Sequence, residues 1–333
     1  MTVLVTGASG HVGVTLVKML TSRWSSVRAL IHDNSFPCDK INIEVVKGDV
    51  CDLDSVIRAC KNVEVVYHLA GRISIGADNW ATLEQINIIG TRNVVDACLS
   101  SSVSRLVHFS SIHAIVQEPL DIPVDESRPL VKSKHYPYYD RSKAAGEEEV
   151  RKGIEHGLNT VIINPTAIIG PNDFGSSYFG KAFLEMANGN LPALVNGGFD
   201  WVDVRDVVEG AMLAEEKAPP GSKYLLSGHW VTIKDMASII SEITGIPCPR
   251  FVCPMWLASS VAPAIEKLAR FTNRRPLFTR DSMRALRTCN HQISHEKATR
   301  ELEYNVRPFR QTIEDTLRWY AEKKSSQFDG RQN

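Results

Sequence analysis

Tyr139 and Lys143 stand four residues apart in the run Tyr139-Asp140-Arg141-Ser142-Lys143, which sets both side chains on one face of a helix. A free tyrosine ionises near pH 10, too high for easy proton exchange at neutral pH. An ammonium group beside it favours the phenolate and lowers that value. A serine hydroxyl next to the phenol would hold a substrate oxygen there, and Ser111, just past the apolar run Arg105 to Phe109, is placed to do so. Together the three groups suit proton exchange with a substrate oxygen. Alone, a tyrosine and a lysine at this spacing read as an exposed pair on a solvated helix. What precedes them reverses that reading.

The chain opens on TVLVTGASGHVG, Thr2 to Gly13. An apolar run, Val3-Leu4-Val5, leads into Gly7, Gly10 and Gly13, and then into the helical-looking run Val14 to Leu20. A strand turning sharply into a helix presents unpaired N–H groups and a positive helix end, and pyrophosphate is the natural occupant. Glycine allows the turn a positive φ, lets a phosphate approach the backbone and lets helix and strand pack closely. The segment from Gly7 through Ser9, Gly10, His11 and Val12 to Gly13 is therefore the candidate phosphate turn. Its spacing is one residue longer than G-x-G-x-x-G, so the generic fingerprint applies by analogy. The plain alternative is an ordinary strand–turn–helix that carries three glycines.

The elements that must position these groups alternate. Strands are expected at Val27–Ile31, Ile43–Val46, Val63–Leu69, Arg105–Phe109 and Thr160–Asn164, and helices at Asp52–Cys60, Leu83–Leu99 and Tyr139–His156. Such alternation predicts an α/β fold: a Rossmann-type doubly wound parallel sheet with helices on both faces. Ligands of such sheets collect at the carboxyl ends of the strands. That rule gathers the glycine turn with His32-Asp33, Asp49-Val50, Leu69-Ala70-Gly71, Ser110-Ser111 and Asn164-Pro165 along one groove. Taken singly, each is an ordinary strand cap.

As a set, these residues resemble the extended branch of the short-chain dehydrogenases/reductases, the epimerase/dehydratase-like proteins. Thr6-Gly7-x-x-Gly10-x-x-Gly13, Ser111 and Tyr139-x-x-x-Lys143 carry the resemblance, with Asp49-Val50, Leu69-Ala70-Gly71, Asn87, Asn164-Pro165, Gly170-Pro171 and Trp201 to Val207. It spans nearly the whole chain. Val27-Arg28-Ala29-Leu30 and His108 to Ile112 bring it nearest in tone to dihydroflavonol reductase-like and 3β-hydroxysteroid dehydrogenase-like members. The resemblance implies that Tyr139 is the general acid/base, that Lys143 binds the nicotinamide ribose and lowers the Tyr139 pKa, and that Ser111 bonds the reacting oxygen, with Ser110 the runner-up. Asp49 and Val50 would flank the adenine, Ala70-Gly71 would pass the central phosphates and ribose, and Pro165 would sit near the nicotinamide. Asn87 would support a water or backbone contact. The reaction implied is hydride transfer between NAD(P) and a small-molecule carbonyl or secondary alcohol. The rivals are a sugar-nucleotide epimerase or dehydratase holding NAD tightly, and a non-catalytic NADP-sensing regulatory protein, against which retention of Ser111, Tyr139 and Lys143 argues. Members pair through the helices represented here by Leu83–Leu99 and Tyr139–His156, so a homodimer is a further expectation.

For the cofactor, Asp33 lies at the distance past the glycines where an acid holds a ribose 2′-OH. The family's acidic position for NAD, however, falls on Ile31, and the next, often arginine in NADP users, on His32. An imidazole contacts a 2′-phosphate less firmly than a guanidinium. The balance favours NADP(H) over NAD(H). Arg28, mid-strand, is expected to point away. His113 replaces the family's small residue and is either a substrate contact, a second proton-transfer group or a locally satisfied packed histidine. His135 and Tyr136 are weaker candidates for the substrate pocket.

Residues 1–165, with 200–217 returning to them, form the expected dinucleotide-binding part. Residues 166–325 are expected to form mainly a smaller C-terminal α/β substrate lobe, and 326–333 a tail. Helices are expected at Phe174–Gly189, Val204–Lys217 and Thr232–Thr244. The apolar stretch Pro254–Phe271 reads as a lid or core helix, with a membrane-surface or hydrophobic-substrate role as the alternative. Arg250, Arg270, Arg274, Arg275 and Arg280 keep a sugar-nucleotide substrate open. In 333 residues, 38 basic and 38 acidic side chains balance, which argues against nucleic acid as a partner. Seven scattered cysteines suggest reduced thiols and a cytoplasmic location, not disulfides or a metal site. No apolar run is long enough for a membrane span.

Overall fold

Strands buried on both faces read as near-continuous apolar runs, and the central strands of the first half of the chain are of this kind, while the edge strand Glu44–Lys47 is largely exposed. The computed structural model describes residues 2–329 apart from 24–25, 33–35, 39–40, 75–78, 176, 192, 250, 259 and 261–279. In chain order come β1 (Thr2–Thr6), α1 (His11–Leu20), β2 (Ser26–Ile31), β3 (Glu44–Lys47), α2 (Leu53–Cys60) and β4 (Val65–His68). The helical stretch that follows runs from α3 (Trp80–Leu83) through a π-helical turn, Glu84–Ile89, into α4 (Gly90–Ser100). Then come β5 (Arg105–Phe109), α5 (Tyr138–Glu155) and β6 (Thr160–Pro165). Asp52, whose carboxylate accepts from the Asp54 N–H, caps α2.

These strands form one sheet in the order β10-β6-β5-β4-β1-β2-β3, parallel throughout. Its seventh strand, β10 (Lys223–Leu226), comes from the second half of the chain and follows β7 (Ala167–Ile169), α6 (Tyr178–Ala187), β8 (Leu194–Val195), β9 (Gly198–Asp203) and α7 (Val204–Lys217). The period-2 alternation of a strand sends Val3 and Val5 to one face, against α1 and α7, and Leu4 to the other, against α2 and α4. Strand order reverses between β1 and β4, which opens a crevice above their carboxyl ends.

The second body takes β11 (His229–Thr232), β9 and β7 as a three-stranded sheet, and pairs β12 (Val252–Cys253) with β8. Its core joins Phe183 and Met186 of α6 to Trp201, to Met236 and Ile240 of α8 (Ile233–Thr244), and to Ile313. Thr232 caps α8 as expected, its hydroxyl accepting from the Asp235 N–H. Three helices close the described chain, Arg280–Thr288, Glu296–Leu302 and Phe309–Asp329.

Two expectations change. α7 lies in the stretch 200–217 that is expected to return and packs with the main sheet; beyond that stretch, β10 and the helix Glu296–Leu302 pack with it too. The expected tail is helical as far as Asp329, since Ala321 to Asp329 contains no proline or glycine to stop the preceding helix. Most of Pro254–Phe271 lies outside the described residues. Among the described residues no helix is long and apolar enough to cross a membrane.

Candidate active site

Gly7 turns the chain out of β1 with φ +67°, and a Cβ there would lie 2.6 Å from the Ala70 nitrogen at the end of β4. A Cβ on Gly13 would meet the Gly7 carbonyl at 2.2 Å. Only glycine fits either position. Gly10 precedes α1 with no side-chain cap, and the first helical bond is donated by Val14 to its carbonyl at 2.9 Å. The N–H groups of His11, Val12 and Gly13 are thus left as the helix-end donors. An uncapped helix start over a glycine floor fits a pyrophosphate. The His11 ring turns aside, its Nε2 sharing a hydrogen bond with the Pro171 carbonyl at 3.0 Å.

A cavity of about 650 Å³ opens beside this turn and is lined by His11, Val12, Gly71, Ser111, Tyr139 and Lys143, with Leu69 and Pro165. Five stretches of chain, spread from His11 to Pro165, therefore meet at one place. Ser111 follows β5, and its hydroxyl accepts the His113 N–H at 3.2 Å and shares a hydrogen bond with the Tyr139 phenol. The Ser110 hydroxyl points elsewhere and donates to buried Glu147 at 2.7 Å. Geometry therefore prefers Ser111 over Ser110 as the group that faces the phenol.

Burial raises the Tyr139 pKa to about 12; the Ser111 hydrogen bond works against this and the Asp140 charge adds to it. Burial lowers Lys143 to about 8, opposed by the charge of Glu147. The expectation that Lys143 depresses Tyr139 is not met here, because the ammonium donates to the Phe109 carbonyl at 2.8 Å and desolvation dominates the phenol. His113 lines the cavity with its Nδ1 3.2 Å from the Asp140 carboxylate and its ring edge-on to Tyr139 at 5.7 Å. Burial disfavours its charged form, yet Asp140 outweighs burial and the pKa rises. One ring nitrogen is satisfied locally, as in the packed reading, while the ring also borders the cavity.

Other expected residues sort clearly. Asn87, on the π-helical turn, clasps the Arg72 backbone from both sides, at 2.7 and 3.0 Å, and donates to Ser142 at 2.9 Å, a backbone-supporting role. Asn164 is fully buried and donates to the Ser111 carbonyl and to Glu147, both at 3.0 Å, so its side chain supports the site from behind. Tyr136 reaches the cavity and donates to Glu118 at 2.9 Å, whereas His135 is exposed and does not line it. His32 and Asp49 follow the adjacent strands β2 and β3, with His32 Nε2 3.3 Å from the Asp49 carboxylate. Val50 is buried against Gly90. Arg28 points away as expected, engaged by Glu44 at 2.8 Å and by the Ala59 and Lys61 carbonyls. Asp33, Arg250, Arg270, Arg274 and Arg275 lie outside the described residues, as does the Arg280 side chain.

Sequence reasoning missed two features. One is Glu147; Tyr139, Lys143 and Glu147 form a single i, i+4, i+8 stripe that would have flagged it. The other is the far wall of the cavity, where Phe179, Phe199 and Trp201 meet edge to face at 4.9–5.4 Å and Met186 and Met236 complete the lining. No motif announces it, since the residues come from α6, β9 and α8.

A Rossmann-type sheet whose crevice gathers a glycine turn, Ser111, Tyr139 and Lys143 defines a class of nicotinamide-dependent enzymes. The model of the NAD dependent epimerase/dehydratase family matches residues 3–226, and the chain belongs to that family, within the extended short-chain dehydrogenases/reductases. It is 35% identical to sterol demethylase protein B of Methylococcus capsulatus over 97% of this chain and 99% of the relative. It is 29% identical to a putative dihydroflavonol 4-reductase of Synechocystis over 95% and 93% of the two chains. Among solved structures, gox2253 superposes with TM-score 0.83 at 32% identity, over 97% of this chain and 98% of the other. The fold is shared by PA4631 of Pseudomonas aeruginosa, a nucleoside-diphosphate-sugar epimerase, with TM-score 0.78 at 21% identity and 97% and 98% coverage.

Proposed function

We propose that this protein is an NAD(P)-dependent oxidoreductase that interconverts a carbonyl and a secondary alcohol on a bulky, weakly charged substrate. The apolar, aromatic wall of the cavity carries this reading. Among the described residues, its lysines and arginines other than Lys143, namely Arg72, Lys181 and Arg284, are exposed. The described lining therefore offers a diphosphate only exposed arginine and lysine partners besides Lys143, whereas its aromatic wall suits an apolar ring. The names of the two relatives above refer to a sterol and a dihydroflavonol, fused-ring molecules of low charge.

Bound nicotinamide supplies hydride in reduction and accepts it in oxidation. The N–H groups of His11, Val12 and Gly13 would hold the pyrophosphate, and Lys143 the adjoining ribose. Ser111 donates a hydrogen bond to the reacting oxygen and Tyr139 exchanges the proton there. The Tyr139 phenol would give its proton to that oxygen, so that the alcohol leaves neutral and the phenolate regains a proton from water. A phenol with a pKa of about 12 is protonated at pH 7, ready for that direction. NADP(H) is the proposed form, with His32 contacting the 2′-phosphate.

The test is oxidation of NADPH, with NADH in parallel, against ketone, steroid, flavonoid and nucleotide-sugar panels. The reading expects net consumption with an apolar ring ketone and preference for NADPH. Copurifying NAD with no net consumption would favour the epimerase/dehydratase reading. Tyr139→Phe should lower kcat by about 10²–10⁴-fold while cofactor fluorescence still reports binding; turnover that survives would sink the mechanism.

A further inference from the structure

One helical turn beyond Lys143 lies a carboxylate with no part in the proton exchange above. Glu147 is fully buried on α5, and a buried acid needs donors to offset its lost hydration. Several surround it. Ser110 donates to its Oε2 at 2.7 Å and Asn164 to the same oxygen at 3.0 Å. Its Oε1 faces Arg151 at 3.4 Å and Lys223 of β10 at 3.8 Å. Asn164 in turn donates to the Ser111 carbonyl at 3.0 Å. One side chain thus ties together the turn that carries Ser111, the helix that carries Tyr139 and Lys143, and the edge strand β10.

We propose that Glu147 is a positioning residue of this active centre, occupying Ser110 so that Ser111 is the hydroxyl facing Tyr139, and setting a buried carboxylate on the Lys143 face of α5, one helical turn away. The groups around Lys143 leave this role to Glu147. His68 of β4 and His108 of β5 are fully buried and feel its charge, and burial disfavours the cationic form of both. Burial, and then the charge of Lys143, push His68 down to about 3 and His108 well below the ordinary imidazole range. Tyr139 is a neutral phenol, and the Asp140 carboxylate is paired with His113. Glu147 is the charge that opposes burial at Lys143, while Arg151 and Lys223 face its Oε1 and compete for it.

This inference rests on Lys143 being a site residue, and its test reads Lys143 directly instead of turnover. Lysine-labelled full-length protein is titrated by NMR, with the Lys143 signal assigned by its loss in Lys143→Arg. In Glu147→Gln the midpoint should fall by about one pH unit or more, and the pH above which NADPH binding weakens should fall with it. Glu147→Asp, which keeps the charge, should restore the midpoint. An unmoved midpoint in folded Glu147→Gln, or an Asp variant that stays with the Gln variant, overturns the proposal. Should Glu147→Gln not fold, Lys223→Met decides. Removing the competing cation must raise the midpoint, and a fixed midpoint counts against Glu147. Surviving turnover in Tyr139→Phe would defeat the proposed reaction and leave this titration standing.

Discussion

Ser110 and Ser111 are chemically identical neighbours, and the structure gives them opposite surroundings. Ser110 spends its hydroxyl on a buried carboxylate, while Ser111 meets the phenol. Ser111→Ala should therefore lower kcat by about 10²–10³-fold, the usual loss of one oxyanion-type donor, and change unfolding stability little. Ser110→Ala should do the reverse. It leaves a buried charge short of a hydrogen bond and should cost about 1.5–3 kcal/mol in urea unfolding, with a smaller effect on kcat. Equal kinetic losses would remove the distinction. At this scale Ser111, Tyr139 and Lys143 were legible because spacing along a helix and placement after a strand are local facts. The height of the Tyr139 pKa was not, because it depends on burial by residues far away in the chain.

Elements show the same divide. Strand Arg105–Phe109 and helix Val204–Lys217 match their expected bounds, because their apolar periodicity is strong. The stretch read as a plain helix over Leu83–Leu99 instead contains the π-helical turn Glu84–Ile89, which a period of 3.6 does not reveal. That turn presents Asn87, whose backbone carbonyl accepts the Thr91 hydroxyl at 2.8 Å. Gly146 of α5 faces the same carbonyl, and a Cβ there would stand 2.4 Å from it. Neither backbone can give way cheaply, since Asn87 is also tied to Arg72 and Ser142. Gly146→Ala should then cost about 1–3 kcal/mol through overpacking, despite alanine's better helix propensity. Urea denaturation decides it, and a neutral or stabilising result would mean that the two helices are not in this contact.

At the scale of the whole molecule, the two bodies are joined by charges that the sequence places far apart. The run Trp201 to Val207 was visible as a motif, yet its partners were not. Asp203 meets Arg205 at 2.7 Å and Arg307 at 3.2 Å, Arg307 meets Asp206 at 2.9 Å, and Arg205 reaches Asp315 at 2.8 Å. The carboxylates of Asp203 and Asp206 are both buried, but they shift in opposite directions. Burial opposes ionisation of Asp203, and its bonds to Arg205 outweigh that, so its pKa is lowered. At Asp206 burial dominates over Arg307, and the pKa rises to about 6. A lowered acid contributes stability above its unfolded pKa of about 3.9, which is lost as pH falls through the folded value. A raised acid contributes stability below about 3.9, which is lost as pH climbs through about 6. Asp206 should therefore make the protein less stable at pH 7 than at pH 5. Asp206→Asn keeps an acceptor for the Arg307 N–H, bonded at 3.0 Å in the native chain, while removing the titration. Thermal unfolding across pH 4–8 should show that Asp206→Asn loses the decline seen in the wild-type protein between pH 5 and 7. If both proteins decline equally, some other group sets that slope, and the charge of Asp206 is fully compensated by Arg307.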